Sequence, residues 1–192
     1  MLNTILSTKL YTWTCDVDGG DWGGRTSGIS GIRYGLPRIL SAFERFNVKG
    51  LFFVSTELLD ENRDLVKIIE SEGHEIGSHG HFHEVYGNPE RANADMKLSF
   101  GILGVCHYRA PKFSHVTKDR YSNPKNHVSV LKKMWLGQGV PEEPIFYIHP
   151  FDLVGGVNAP NLFCKLWYSR PKDAYETFSN LLRRYPGDNR LH

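Results

Sequence analysis

The chain has 192 residues, 40% hydrophobic and 23% charged, enough for one domain with a sizeable core and too few for two comfortable ones, so residues 1–192 are expected to form a single domain. Its 23 basic and 21 acidic side chains leave a formal charge of +2, with no long basic run to track a phosphate backbone, which argues against a nucleic-acid partner. No stretch approaches a membrane span, and the first residues carry neither a basic n-region nor an apolar segment long enough for secretion, so a cytoplasmic location is expected.

In chain order, "LYTWTC" is rich in aromatic and β-branched residues and predicts a first strand ending near Cys15. "DVDGGD" follows, and its Asp16 and Asp18 need a cation, a hydrogen-bond network or open water, because unpaired charge is costly to bury. The glycine-rich "GGDWGGRTSGISG" reads as a surface loop of the kind on which sites are built. From Tyr34 to Phe46 the apolar residues recur at helical spacing. "KGLFFVS" predicts a second strand, and "DENRDLVKIIESEG" a helix stopping at Gly73. "HEIGSH", "NPERANADMKLSFGILG" and "CHYRAPKF" read as strand, helix and strand. Between Ser114 and Glu143 only "HVSVLKKMW" resembles a helix, before "PIFYI" restores a buried strand and "DAYETFSNLLRRY" closes with an amphipathic helix. The alternation implies an α/β fold of parallel strands with its site at their carboxyl ends.

The residues least expected in a core fall at those ends: Asp16 and Asp18 after the first strand, His79, His81 and His83 after the third, Arg109 in the fourth, His149 after "PIFYI". His79 and His83 share a face if "SHGHFHE" is a helical turn, whereas an extended segment lines all three imidazoles on one side. Two imidazoles and one carboxylate make a zinc site with open positions, and Asp18 is the third ligand expected. Arg109, beside the buried carboxylates, would keep one ionised and oriented. His149 is placed as a general acid. Cys15, Cys106 and Cys164 are odd in number and far apart, which suggests free thiols and no C-x-x-C metal site, with Cys15 a core residue.

"TCDVDGG", "GHEIGSHGHFHE", "YRAPKFS" and "FYIHPFD", in that order, resemble the motifs of the NodB-like polysaccharide deacetylase superfamily, a carbohydrate esterase family, from about Tyr11 to Asp152. The resemblance implies a distorted (β/α) barrel with fewer than eight regular strands, a divalent metal, usually zinc, and hydrolysis of an N-acetyl or related N-acyl group on a sugar. It implies Asp16 as the catalytic base, Asp18, His79 and His83 as metal ligands, Arg109 as the residue holding the base, and His149 as the acid. Trp22, Pro111, Phe113 and Phe151 are the candidates for contact with the glycan, and Trp135 is a further aromatic near the same rim. Where most members carry adjacent aspartates, this chain has Asp-Val-Asp, similar to a subset that includes intracellular peptidoglycan-type deacetylases and aminoarabinose deformylases. The family's motif with aspartate and tryptophan between the arginine and histidine motifs is not found.

Two other classes remain open on the residues alone. An Asp-x-Asp pair can hold a divalent ion under a nucleotide sugar, as in glycosyltransferases, and a non-catalytic, metal-containing carbohydrate-binding module could use the same aromatics. A calcium loop counted from Asp16 fails, because Gly20 and Ser27 occupy required ligand positions.

Overall fold

β1 (Thr12–Val17) lies inside a four-stranded sheet and pairs in parallel with β2 (Gly50–Val54) on one side and β4 (Ile145–Ile148) on the other. β3 (Glu75–Ser78) extends the sheet beyond β2, giving the order β3-β2-β1-β4. The computed structural model describes residues 11–18, 31–83, 88–111, 129–135, 137, 145–154 and 173–187. Among these residues the sheet is open.

Side chains alternate across a strand, and β1 uses its two faces for different purposes. Trp13, Cys15 and Val17 join the apolar core with Phe52, Val54, Phe146 and Ile148. Helices cover that face: α1 (Leu36–Arg45) contributes Ile39 and Phe43, α2 (Leu65–Ser71) contributes Ile69, and α5 (Ala174–Arg184) contributes Phe178. Trp13 meets Phe43, Phe146 and Phe178 edge to face, and its indole N–H donates to the Tyr185 carbonyl at 3.0 Å. A large aromatic buried with its one donor satisfied contributes on the order of 2–3 kcal/mol. The opposite face carries Thr14 and Asp16, both buried, and becomes the interior of the site.

The predicted helix over 34–46 is α1, whose buried residues follow a three-to-four spacing and whose first turn accepts a proline. A π-helical turn, Gly31–Gly35, runs into it and packs on a 3₁₀ turn, Pro150–Leu153, just after β4. Only glycine fits at 35, because a Cβ there would stand 1.9 Å from the Pro150 carbonyl oxygen. Arg38 also donates to the Leu153 carbonyl at 3.2 Å, so α1 holds the chain that follows β4 from two points.

Three expectations are corrected. The first strand continues through Asp16 to Val17, because the Asp16 carboxylate has a partner inside the sheet and so does not end the strand. The helix expected over 60–73 is shortened to α2, Leu65–Ser71, with a separate 3₁₀ turn, Thr56–Asp60, before it and Gly73 at φ +76° after it. The described part of "CHYRAPKF", residues 106–111, does not form a regular strand. It makes one parallel bridge, Tyr108 beside Ser78, through Ser78 N–H to the His107 carbonyl and Arg109 N–H to the Ser78 carbonyl. The pairing goes no further because β3 ends at Ser78 and Pro111 has no N–H to donate. The remaining helices are α3 (Pro89–Leu103), capped by the Asn88 side chain and ended by Gly104 at φ +67°, and α4 (Val130–Trp135). No helix among the described residues is long and apolar enough to cross a membrane. Cys15 is buried and Cys106 exposed, both as free thiols; Cys164 lies outside the described residues.

Candidate active site

The registers place the chemistry. Cys15 is level with Ile148, and Val54 with Ser78, so Asp16, Asp18, His79 and His149 emerge at one rim formed by the carboxyl ends of β1, β3 and β4.

Asp18 Oδ2 is the common point. It lies 3.3 Å from His83 Nε2, 3.6 Å from His149 Nε2 and 3.9 Å from His79 Nε2. Asp18, His79 and His83 each offer a ligand atom, and these atoms lie within 4.8 Å of one another. Donors about 2.0–2.1 Å from a tetrahedral zinc stand roughly 3.3 Å apart, close to the spacing of Asp18 and His83.

The donor chemistry fits a cation as well as the spacing does. The Arg109 carbonyl can only accept, so His79 donates its Nδ1 proton to it at 2.8 Å and turns the Nε2 lone pair toward Asp18. Burial lowers the His79 pKa to about 4, against the opposing pull of Asp16 and Asp18, so the imidazole is neutral and able to ligate at pH 7. Asp16 and Asp18 are both buried, and Arg109 binds Asp16. His81 is turned elsewhere: its Nδ1 pairs with Thr56 Oγ1 at 2.7 Å. The segment is neither a helical turn nor extended, since Gly80 and His83 take φ of +83° and +52°.

Arg109 donates Nη1 to Asp16 Oδ1 and Nη2 to Thr14 Oγ1, while its guanidinium lies 4.4 Å over the Phe53 ring and 5.1 Å from the Tyr147 ring centre. Asp16 Oδ2 faces His79 Nε2 at 3.6 Å. His149 sits outside the three-residue set. Its Nε2 is 2.8 Å from the Tyr147 hydroxyl, and its Nδ1 is 3.6 Å from Asp152 Oδ2, which also accepts the His149 backbone N–H at 2.9 Å. Burial raises the Tyr147 pKa well above the usual phenol value, with Asp16, Asp18 and Asp152 adding to it, so that hydroxyl stays protonated. Burial also works to raise the Asp152 pKa, but His149 and Lys132 outweigh it and the carboxyl ends below its ordinary value.

Of the residues expected to meet the glycan, Phe151 is buried and stacked on the His149 imidazole at 4.3 Å. Pro111 is buried, with Cγ beside Gly80. Trp22 and Phe113, and the Trp135 side chain, lie outside the described residues. The sequence reading passed over Tyr147 and Thr14. Each stands two residues before a named site residue in a strand, and that spacing alone puts them on the same face.

The family model described as Polysaccharide deacetylase matches residues 30–100. A curated peptidoglycan deacetylase of Helicobacter pylori is 28% identical over 86 residues, 39% of this chain and 29% of that protein. A family 4 carbohydrate esterase from Bacillus anthracis superposes with a TM-score of 0.56 at 16% identity, covering 94% of this chain and 80% of that one. A CE4 family pseudoenzyme from the same organism gives 0.56 at 15%, covering 93% and 60%. The chain therefore spans less than two thirds of the curated relative and of the pseudoenzyme. The solved structures are distorted (β/α) barrels, and this chain's described strands form an open, four-stranded parallel sheet of the same α/β class. The polysaccharide deacetylase family model thus covers residues 30–100, and the chain's motifs resemble those of the NodB-like superfamily, whose solved structures share its fold.

Proposed function

We propose that the protein is a metal-dependent hydrolase that removes an N-acetyl or N-formyl group from an amino sugar or glycan. The observation that carries this reading is the convergence of three imidazole Nε2 atoms on Asp18 Oδ2, next to an Asp16 carboxylate fixed by Arg109. A glycosyltransferase-type Asp-x-Asp site has no use for the imidazoles.

Asp18, His79 and His83 would hold the ion, zinc or another divalent transition metal. Bound there, it would supply Lewis acidity to the amide carbonyl and to a water. Asp16 Oδ1 is engaged by Arg109, and Oδ2, directed toward His79, is the atom that takes the proton from water as its oxygen bonds to the carbonyl carbon. The C–N bond then breaks, and His149 Nε2 gives a proton to the departing amine. Tyr147 and Phe151 hold that imidazole, one at its edge and one on its face.

The test is an assay of protein of measured metal content against a panel of N-acylated sugars, free, nucleotide-linked, lipid-linked and polymeric. Acid release that disappears with a chelator and returns with the ion is expected. Binding of glycans without acid release at full metal occupancy would assign the protein to the non-catalytic class instead.

A further inference from the structure

α3 is built unusually for a helix that packs on a sheet edge. Its buried residues are Ala92, Asp95 and Ser99, one face at helical spacing with no large apolar side chain, while Leu98 and Ile102 face solvent. Its two buried polar side chains meet the strand end and loop that carry the histidines. Ser99 Oγ pairs with Ser78 Oγ at 2.5 Å, and Ser78 Oγ accepts the Gly80 N–H. Asp95 Oδ2 accepts the His81 N–H at 2.8 Å, and Oδ1 accepts the Phe82 N–H at 3.1 Å.

The two amides clamped by Asp95 lie between His79 and His83. The rest of the loop is tied from the other side, where Thr56 and Glu57 N–H donate to the Gly80 and His81 carbonyls and His79 N–H donates to Val54. His83 sits at φ +52°, in the left-handed region, which is strained for a non-glycine residue and persists only where the surrounding structure enforces it. Among the described residues, the backbone bond that holds the chain next to it is the one from Phe82 N–H to Asp95 Oδ1. Charge-assisted bonds of this kind are roughly twice as strong as neutral ones. Gly80 fits the same arrangement: at φ +83° a Cβ would lie 2.5 Å from Asp95 Oδ2.

The geometry points to Asp95 as the positioning residue of the metal loop: its carboxylate fixes the turn that keeps the His83 imidazole within reach of Asp18 and His79. This rests on the metal-site reading above. Asp95 touches no ligand atom itself and acts through the backbone. Released from the clamp, residue 83 relaxes toward negative φ and its ring leaves Asp18.

The test is zinc affinity by chelator competition on metal-free protein, with melting temperature recorded in parallel, for the wild type, Asp95→Asn, Asp95→Glu and Ile69→Val. The last variant trims the core at α2, far from the loop, and reports what a general loss of stability does to affinity. One zinc per wild-type chain is expected, with Asp95→Asn and Asp95→Glu retaining that stoichiometry but binding about 10–100-fold more weakly, the range typical of groups that orient ligands. Ile69→Val is expected to bind like the wild type. If either Asp95 variant that folds binds zinc as tightly as the wild type, or if Ile69→Val weakens binding as much, the positioning role is overturned while the metal site stands. If the wild type itself takes up no zinc, both fail.

Discussion

Arg109 and Asp16 are 93 positions apart in the chain and are joined by a buried hydrogen-bonded ion pair, with the guanidinium also donating to Thr14 on the same face of β1. Breaking such a pair leaves a charge in a dry site, which costs about 3–5 kcal/mol. Arg109→Ala is therefore expected to lose that much stability in denaturant unfolding; a loss under 1 kcal/mol would show that Asp16 is solvated. Asp16→Asn keeps the shape and removes the base. Turnover should vanish with metal content unchanged, and hydrolysis at the parent rate would remove Asp16 from the base's role.

Tyr147→Phe deletes only the hydroxyl at His149 Nε2. A hydrogen bond of about 1–1.5 kcal/mol corresponds to a rate effect of roughly tenfold. We expect kcat to fall by about that factor with KM unchanged, since the phenol holds the acid and not the sugar. A change confined to KM would place Tyr147 among the substrate contacts.

Acid should destabilise the protein through a histidine remote from the site. His74 is buried against Phe43 and Phe52 and accepts the Gly50 N–H through Nδ1. Burial, with Lys49 adding, lowers its pKa from 6.5 to about 4. The unfolded chain thus binds the proton first, so this contribution is complete above pH 6.5 and is lost as pH falls from 6.5 toward 4, to roughly 3 kcal/mol in all. In metal-free protein His79 adds a loss over the same window. His74→Gln should flatten the pH dependence of unfolding by about half, and an unchanged slope would mean that His74 is not the titrating group.

Two glycines give opposite expectations. Gly35→Ala drives a methyl into the Pro150 carbonyl, beside His149, and should cost about 1–3 kcal/mol together with activity. Gly101→Ala meets nothing within 4 Å on α3 and should stabilise by about 0.5–1 kcal/mol without touching turnover. Thermal melts of both variants check the pair, and a Gly35→Ala protein as stable as the parent would contradict the packing of the two turns.

The strands and most helices were legible because their periods are simple: alternate residues on β1, three-to-four spacing on α1 and α5. The charged residues that gather at the rim were legible as candidates because charge at a strand end has few structural uses. What the sequence could not settle was conformation. Spacing left two arrangements of His79, His81 and His83 open, helical or extended, and the segment takes neither: Gly80 and His83 have positive φ and His81 turns to Thr56. The glycine hints at that turn, but nothing local shows that His83 shares it. Asp95 was invisible for a related reason: an aspartate within a polar helix reads as a solvated face until the loop it clamps is seen. That Phe151 stacks on the His149 ring was not legible either, because an aromatic two residues from a histidine carries no sign of which ring it packs on.

The central claim concerns one ion and three side chains. Crystals equilibrated with zinc and measured at its absorption edge should show a single anomalous peak about 2.0–2.1 Å from Asp18 Oδ2, His79 Nε2 and His83 Nε2. A peak elsewhere, or none at this rim with zinc in excess, would contradict it.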